Sequence, residues 1–335
     1  MGANPADSVV IPAAIAWMRR FPMDGSLLLF DRKSGTNVLC DGPETAHMRQ
    51  LAPRLVQFGI TNECNLACTF CSRDVEAASD WTPDEAFRVL ADLADAGVLE
   101  VAFGGGEPWA FRGFAELVKR LHDETPLAVN FTTNGLALTV ARLSSIRDCY
   151  GQCRLSLYDD NDWQRRVGTL ADAGARFGVN YLVTPQRLAD LEAVVLRLVA
   201  LGCRDILLLS YNGAAADLHL RPAQSRDFAA RVKLLARVLA GQAVVKLDVC
   251  WGERLDGVPR LFERADCGAG RDFVVLTSDR QLMPCSFHHL KIGVRSAVDV
   301  MDVWRSRGDD LASPSRIPGC ARTPGFGLNR LQVIA

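Results

Sequence analysis

Leu55-Val56-Gln57-Phe58-Gly59-Ile60-Thr61-Asn62-Glu63-Cys64-Asn65-Leu66-Ala67-Cys68-Thr69-Phe70-Cys71 runs from an apolar, strand-like segment straight into three closely spaced cysteines. The C-x3-C-x2-C spacing gathers three thiolates on one short loop, and thiolates are the soft ligands of iron–sulfur clusters. A four-iron cubane held by three cysteines keeps one iron open. A structural zinc site asks for four protein ligands, and no fourth Cys or His lies within ten residues on either side. The iron–sulfur reading therefore leads over a zinc knuckle.

Working outward from this stretch, apolar strand-like runs near 55–60, 98–103, 127–132, 152–157, 178–183, 204–210 and 243–249 alternate with helix-period segments such as Thr82 to Ala96 and Gln224 to Leu239. Thr82-Pro83-Asp84-Glu85 carries a capping Thr, a Pro at the first helical position and acids in the first turn. Strands that read as continuously apolar and alternate with helices predict a parallel sheet covered by helices. Such sheets carry their chemistry at the carboxyl ends of the strands. The cysteine loop follows the first strand, Gly104-Gly105-Gly106-Glu107-Pro108 the second and Thr132-Thr133-Asn134-Gly135 the third, while Ser156 lies on the fourth.

The CxxxCxxC loop, the GGEP turn and the later strand ends, in this order, resemble the radical S-adenosylmethionine (radical SAM) superfamily over residues 55 to 250. The resemblance implies an α/β fold, a partial (β/α)6 TIM-like barrel. It implies that Cys64, Cys68 and Cys71 hold a [4Fe–4S] cluster whose open iron chelates SAM, and that SAM is reductively cleaved to a 5′-deoxyadenosyl radical. Glu107 would accept from the methionyl ammonium, and Gly104, Gly105 and Gly106 would let SAM approach without Cβ clashes. Thr133, Asn134 and Ser156 would address the ribose and carboxylate. Phe70 and Val183 would meet the adenine.

Beyond the barrel, Cys267 and Cys285 stand at the two bases of a predicted hairpin turning at Ser278-Asp279-Arg280, followed by a helix near Val298 to Trp304 and by Cys320. This arrangement resembles the SPASM and twitch extensions, which implies a small C-terminal domain with one auxiliary [4Fe–4S] cluster on Cys267, Cys285 and Cys320. Seven cysteines for a full SPASM form are not available, and the Cys pair that closes a twitch form is reduced to Cys320. The fourth iron site would be open to substrate or closed by His288, His289, Arg322 or Cys250. Cys250 is also a candidate hydrogen donor to a substrate radical, with a buried thiol packing as a small hydrophobe as the leading alternative. Asp248, Glu253, Arg254 and Tyr211-Asn212-Gly213 are candidate substrate contacts, whereas Cys40, Cys149, Cys153 and Cys203 read as structural thiols.

The expected domains are an N-terminal extension with a β-hairpin (1–54) that plugs the barrel end, the barrel (55–255) and the cluster extension (256–335). A net charge of −1 with dispersed basic residues predicts no nucleic-acid or membrane partner. Eleven cysteines without a recognisable export signal predict the cytoplasm. The expected substrate is a ribosomally made peptide to be oxidised, crosslinked or epimerised, with a small-molecule antibiotic intermediate (aminosugar or nucleoside) as the alternative. Flavodoxin or ferredoxin would donate the electron. A non-catalytic metal scaffold or redox sensor is the reading from a different class.

Overall fold

The computed structural model describes residues 9–159, 161–252, 257–260 and 266–322. Seven parallel strands stand side by side in sequence order: β4 (Leu55–Thr61), β5 (Glu100–Gly105), β6 (Ala128–Thr133), β7 (Gln152–Ser156), β8 (Phe177–Val183), β9 (Asp205–Ser210) and β10 (Val244–Leu247). Helices α1 (Pro83–Asp95), α2 (Phe114–Glu124), α3 (Val140–Ser145), α4 (Trp163–Asp172), α5 (Leu191–Ala200) and α6 (Pro222–Val238) occupy the crossovers. Each expected strand and both expected helices lie within two residues of their predicted limits. Thr82 caps α1 through a reciprocal capping box with Glu85, as its sequence predicts.

The core lies between the sheet and the helices. Phe58, Ile60, Val101, Phe103, Phe131, Leu155, Val179, Tyr181 and Leu208 point into it from the strands, and Leu90, Leu93, Leu117, Leu121, Leu198 and Phe228 meet them from the helices. The other face is not the continuously apolar surface that the sequence reading expects. Gln57, Glu100, Asn130, Gln152, Arg154, Asn180, Asp205 and Lys246 alternate with the core residues and line an interior cavity. Arg154 donates to Asn180 Oδ1 at 2.7 Å and to Asp205 Oδ1 at 3.0 Å, while Lys246 reaches Asp205 Oδ2 at 2.7 Å. Burial alone would raise the Asp205 carboxyl, but Arg154 and then Lys246 override it and hold it down to about 2.

This polar belt sits toward the amino ends of the strands, and a three-stranded antiparallel sheet covers that end: β1 (Arg19–Met23), β2 (Ser26–Phe30) and β3 (Asn37–Asp41). Phe21, Leu28 and Phe30 pack on Leu99 and Ala128. The Arg19 guanidinium donates to Ala94 O at 2.7 Å and Val98 O at 2.9 Å, satisfying carbonyls at the end of α1.

The C-terminal hairpin, β11 (Phe273–Leu276) and β12 (Gln281–Met283), continues the barrel sheet. Strand β11 pairs parallel with β4, Phe273 opposite Leu55, and β12 pairs antiparallel with β13 (Ile292–Gly293). Helix α7 (Ala297–Ser306) and the short α8 (Gly308–Ala312) follow. No helix among the described residues is long and apolar enough to cross a membrane.

Candidate active site

The three-cysteine loop leaves the end of β4 and is closed by Asn62. Its side-chain amide donates to Asp74 O and Val75 O at 3.0 Å and to Ala77 O at 2.6 Å. Arg73 returns a bond to Asn62 Oδ1, and Ser79 Oγ accepts the Asn62 N–H at 2.8 Å. The sequence reading missed this residue; a polar Asn directly after a buried strand was the available signal. The far end of the loop is pinned to the C-terminal hairpin. Asp80 N–H donates to Ser278 O at 2.8 Å, Trp81 Nε1 donates to Thr277 O at 2.9 Å, and Arg280 donates to Asp80 O at 2.6 Å.

The glycine turn after β5 locks onto the start of the same loop. Gly106 N–H donates to Thr61 O at 2.7 Å and Glu107 N–H to Glu63 O at 2.8 Å. A Cβ on Gly106 would stand 2.0 Å from Glu63 O, and one on Gly105 2.7 Å from Gly59 Cα. Glycine is therefore required at 105 and 106 by the neighbouring backbone, whereas the expectation assigned the requirement to an approaching ligand. Gly104 is different: a Cβ there would meet nothing within 4 Å, and the residue lines the cavity.

Glu107 is buried and ties two strand ends together. Its Oε1 accepts from Thr133 Oγ1 at 2.7 Å and its Oε2 from Asn134 N–H at 2.8 Å. Burial raises its carboxyl, against these hydrogen bonds. Thr133 Oγ1 also accepts from Gly135 N–H at 3.0 Å, so this hydroxyl is committed to holding Glu107. Asn134 donates to Asn65 Oδ1 at 2.7 Å and toward Cys64 Sγ at 3.9 Å. Phe70 and Tyr158 pack with ring centroids 5.4 Å apart, beside Ser156 on the cavity wall. Burial pushes the Tyr158 hydroxyl up to about 12, a bond to Ser156 opposes this, and the Cys68, Cys71 and Cys64 thiols add to the rise.

The expected adenine contact at Val183 is corrected. Val183 is 1% exposed and belongs to the helix-facing core, while Asn180 and Leu182 line the cavity. Successive side chains of a strand alternate between faces, and Val183 falls on the wrong one.

One cavity of about 640 Å³ joins Cys64, Cys68 and Cys71 to Cys250 and Cys285. Cys250, Cys267 and Cys285 pack with Val249, Ala269 and Phe273. Burial pushes the Cys250 thiol well above its usual value, and Asp248, Cys285, Cys267 and Cys320 press it further up. Four sulfur donors thus share one corner. Among the described residues no three His, Cys, Asp or Glu side chains form a cage for a single ion; a cubane instead offers a separate iron to each thiolate, so its ligands stand apart around it.

Two of the other candidates for the fourth position are committed elsewhere. Arg322 donates to Ala269 O and Ala312 O and pairs with Asp266 at 3.1 Å. His288 has one ring nitrogen against Ser313 O at 3.2 Å and the other accepting Leu290 N–H at 3.0 Å. His289 stacks on His288. Tyr211, Asn212 and Asp248 line the cavity as expected of substrate contacts. Gly213 instead donates its N–H to Pro318 O. Glu253 and Arg254 lie outside the described residues.

Residues 58–158 match the family model for the radical SAM superfamily. A PqqA peptide cyclase of Bradyrhizobium diazoefficiens is 41% identical over 108 residues, which is 31% of this chain but only 28% of that protein. A PqqA peptide cyclase of Rhodopseudomonas palustris is 27% identical over 289 residues, 76% of this chain and 74% of that protein. Among solved structures, Streptococcus suis SuiB bound to precursor peptide SuiA superposes with a TM-score of 0.63 at 16% identity, covering 80% of this chain and 68% of that one, a likeness of fold.

Proposed function

We propose that this chain, which belongs to the radical SAM superfamily and is an enzyme, modifies a ribosomally made peptide held in the cavity between its two cysteine groups. Membership of the superfamily implies SAM and a [4Fe–4S] cluster. The residues fit them: three soft thiolates line the cavity beside Gly104, where a Cβ would enter open space. Reduced and bound there, the pair supplies the radical that abstracts a hydrogen atom from substrate.

Cys64, Cys68 and Cys71 hold the cluster, and Asn134 tunes it through its contact with Cys64 Sγ. Glu107, held by Thr133 and Asn134, keeps lone-pair capacity for one further donor, the methionyl ammonium. Ser156 and Phe70 line the wall against which the nucleoside rests.

Cys250, Cys267, Cys285 and Cys320 hold an auxiliary [4Fe–4S] cluster, with Cys250 as the fourth ligand. Bonded to iron, Cys250 would have no S–H hydrogen to give a substrate radical. A cluster held there would supply an acceptor for one electron from the substrate, which favours oxidation or crosslinking over epimerisation. A small one-electron carrier such as flavodoxin or ferredoxin reduces the enzyme.

The observation that carries the peptide reading is the alignment along 76% of the chain with a protein named for cyclising a peptide. The test is 5′-deoxyadenosine formation by anaerobically reconstituted enzyme with SAM, a strong reductant and synthetic peptides translated from neighbouring reading frames. One peptide is expected to accelerate SAM cleavage and to lose hydrogen by mass spectrometry. Acceleration by an aminosugar or nucleoside, with every peptide unchanged in mass, would sink the reading.

A further inference from the structure

The ends of β9 and β10 carry a buried polar group that the chemistry above does not use. Asn212 is 5% exposed, lines the cavity, and its Oδ1 has no hydrogen-bond partner. Its orientation is fixed, because Nδ2 donates to Ser210 O at 3.3 Å and to Ser210 Oγ at 3.2 Å. Turning the amide over would set its oxygen against the Ser210 carbonyl. Ser210 Oγ in turn donates to Asp248 Oδ1 at 3.4 Å.

Asp248 also lines the cavity, is 8% exposed, and is held by neutral donors, Ser210 N–H at 3.2 Å and Cys250 N–H at 3.1 Å. It has no ion-pair partner among the described residues. A buried carboxylate without a counter-cation and a buried amide oxygen without a donor thus sit at opposite ends of one relay, Asn212 to Ser210 to Asp248. Leaving such an acceptor unmade costs about 1–3 kcal/mol, and hydrogen bonds in a chain polarise one another. Both deficits are removed by the same kind of ligand: a group with N–H donors and a positive charge.

We propose that Asn212, Ser210 and Asp248 form a substrate subsite for an ammonium or guanidinium group, with Asn212 Oδ1 accepting its N–H and Asp248 supplying the opposing charge. This deepens the peptide reading, on which it rests, by requiring a Lys, Arg or amino terminus near the modified position.

The test uses cluster-loaded enzyme with SAM and two small probes, N-acetyl-arginine amide and its neutral isostere N-acetyl-citrulline amide, titrated by anaerobic calorimetry. The arginine compound is expected to bind saturably and at least about tenfold tighter than the citrulline compound. Asp248→Asn should erase that preference, and Asn212→Leu should weaken the arginine compound by about tenfold with SAM affinity and iron content unchanged. If Asp248→Asn sheds auxiliary iron, Asn212→Leu decides alone. Equal affinity for both probes, or no saturable binding of either, would overturn the subsite. So would a parallel loss of SAM affinity in Asn212→Leu, which would give the acceptor to the adenine amino group. The probes do not depend on any peptide being turned over, so the subsite and the peptide reading fail separately.

Discussion

At the scale of single residues, the site rests on close backbone packing as much as on ligating atoms. Gly106 is the sharpest case, since a methyl group there collides with the Glu63 carbonyl, which is itself tied to the Glu107 N–H. Gly106→Ala should cost about 1–3 kcal/mol of stability and displace the start of the cysteine loop. Thermal unfolding together with the iron bound per chain would register both effects, and a variant with native melting and full iron would refute the packing argument. Cys68→Ala tests the chemistry instead. It should abolish reductive SAM cleavage while the other cluster keeps its iron, and wild-type cleavage in this variant would remove the central assignment.

At the scale of elements, two long-range ties matter. The first is the brace between the cysteine loop and the C-terminal hairpin. Arg280 donates to Asp80 O, pairs with Glu85 at 2.8 Å and covers the Trp81 ring, and it adopts a positive φ of 59° to do so. Arg280→Ala should loosen the loop, weakening SAM binding several-fold while auxiliary iron is retained. Equilibrium dialysis with labelled SAM, read beside the electron paramagnetic resonance of each cluster, separates this from general destabilisation.

The second tie is the Arg154–Asp205–Lys246 group that joins β7, β9 and β10. Asp205 is held at about 2 against an ordinary 3.8, so its stabilisation is complete above 3.8 and is lost as pH falls through about 2. The shift corresponds to about 2 kcal/mol. Urea midpoints between pH 5 and pH 2 should therefore fall more steeply for the native protein than for Asp205→Asn. That variant should already be weaker at neutral pH, because Arg154 and Lys246 lose their carboxylate.

At the scale of the whole molecule, two cysteine groups from opposite ends of the chain face one cavity because the C-terminal hairpin extends the barrel sheet at β4. This makes the two groups separable by mutation. The native protein should bind about eight irons, and a Cys267→Ala/Cys285→Ala double variant about four, with SAM cleavage surviving uncoupled from product. Eight irons retained in that double variant would exclude the auxiliary cluster.

Local signals in the sequence determined the alternation of strands and helices, the capped start of α1, the three-cysteine loop and the glycine turn. Each depends on neighbours only a few residues apart. The chain could not announce which face Val183 would take, because its run of apolar residues hides the parity of the strand. Nor could it announce the pairing of β11 with β4, or that Asn62, Asn134 and Thr133 would be spent on holding the loop and Glu107. Those outcomes depend on register and on partners from about ten to hundreds of residues away. The same holds for Cys250. Its neighbours along the chain suit a buried thiol better than a hydrogen donor, and only the packing of the turn after β10 against Ala269 and Phe273 brings it beside Cys267, Cys285 and Cys320.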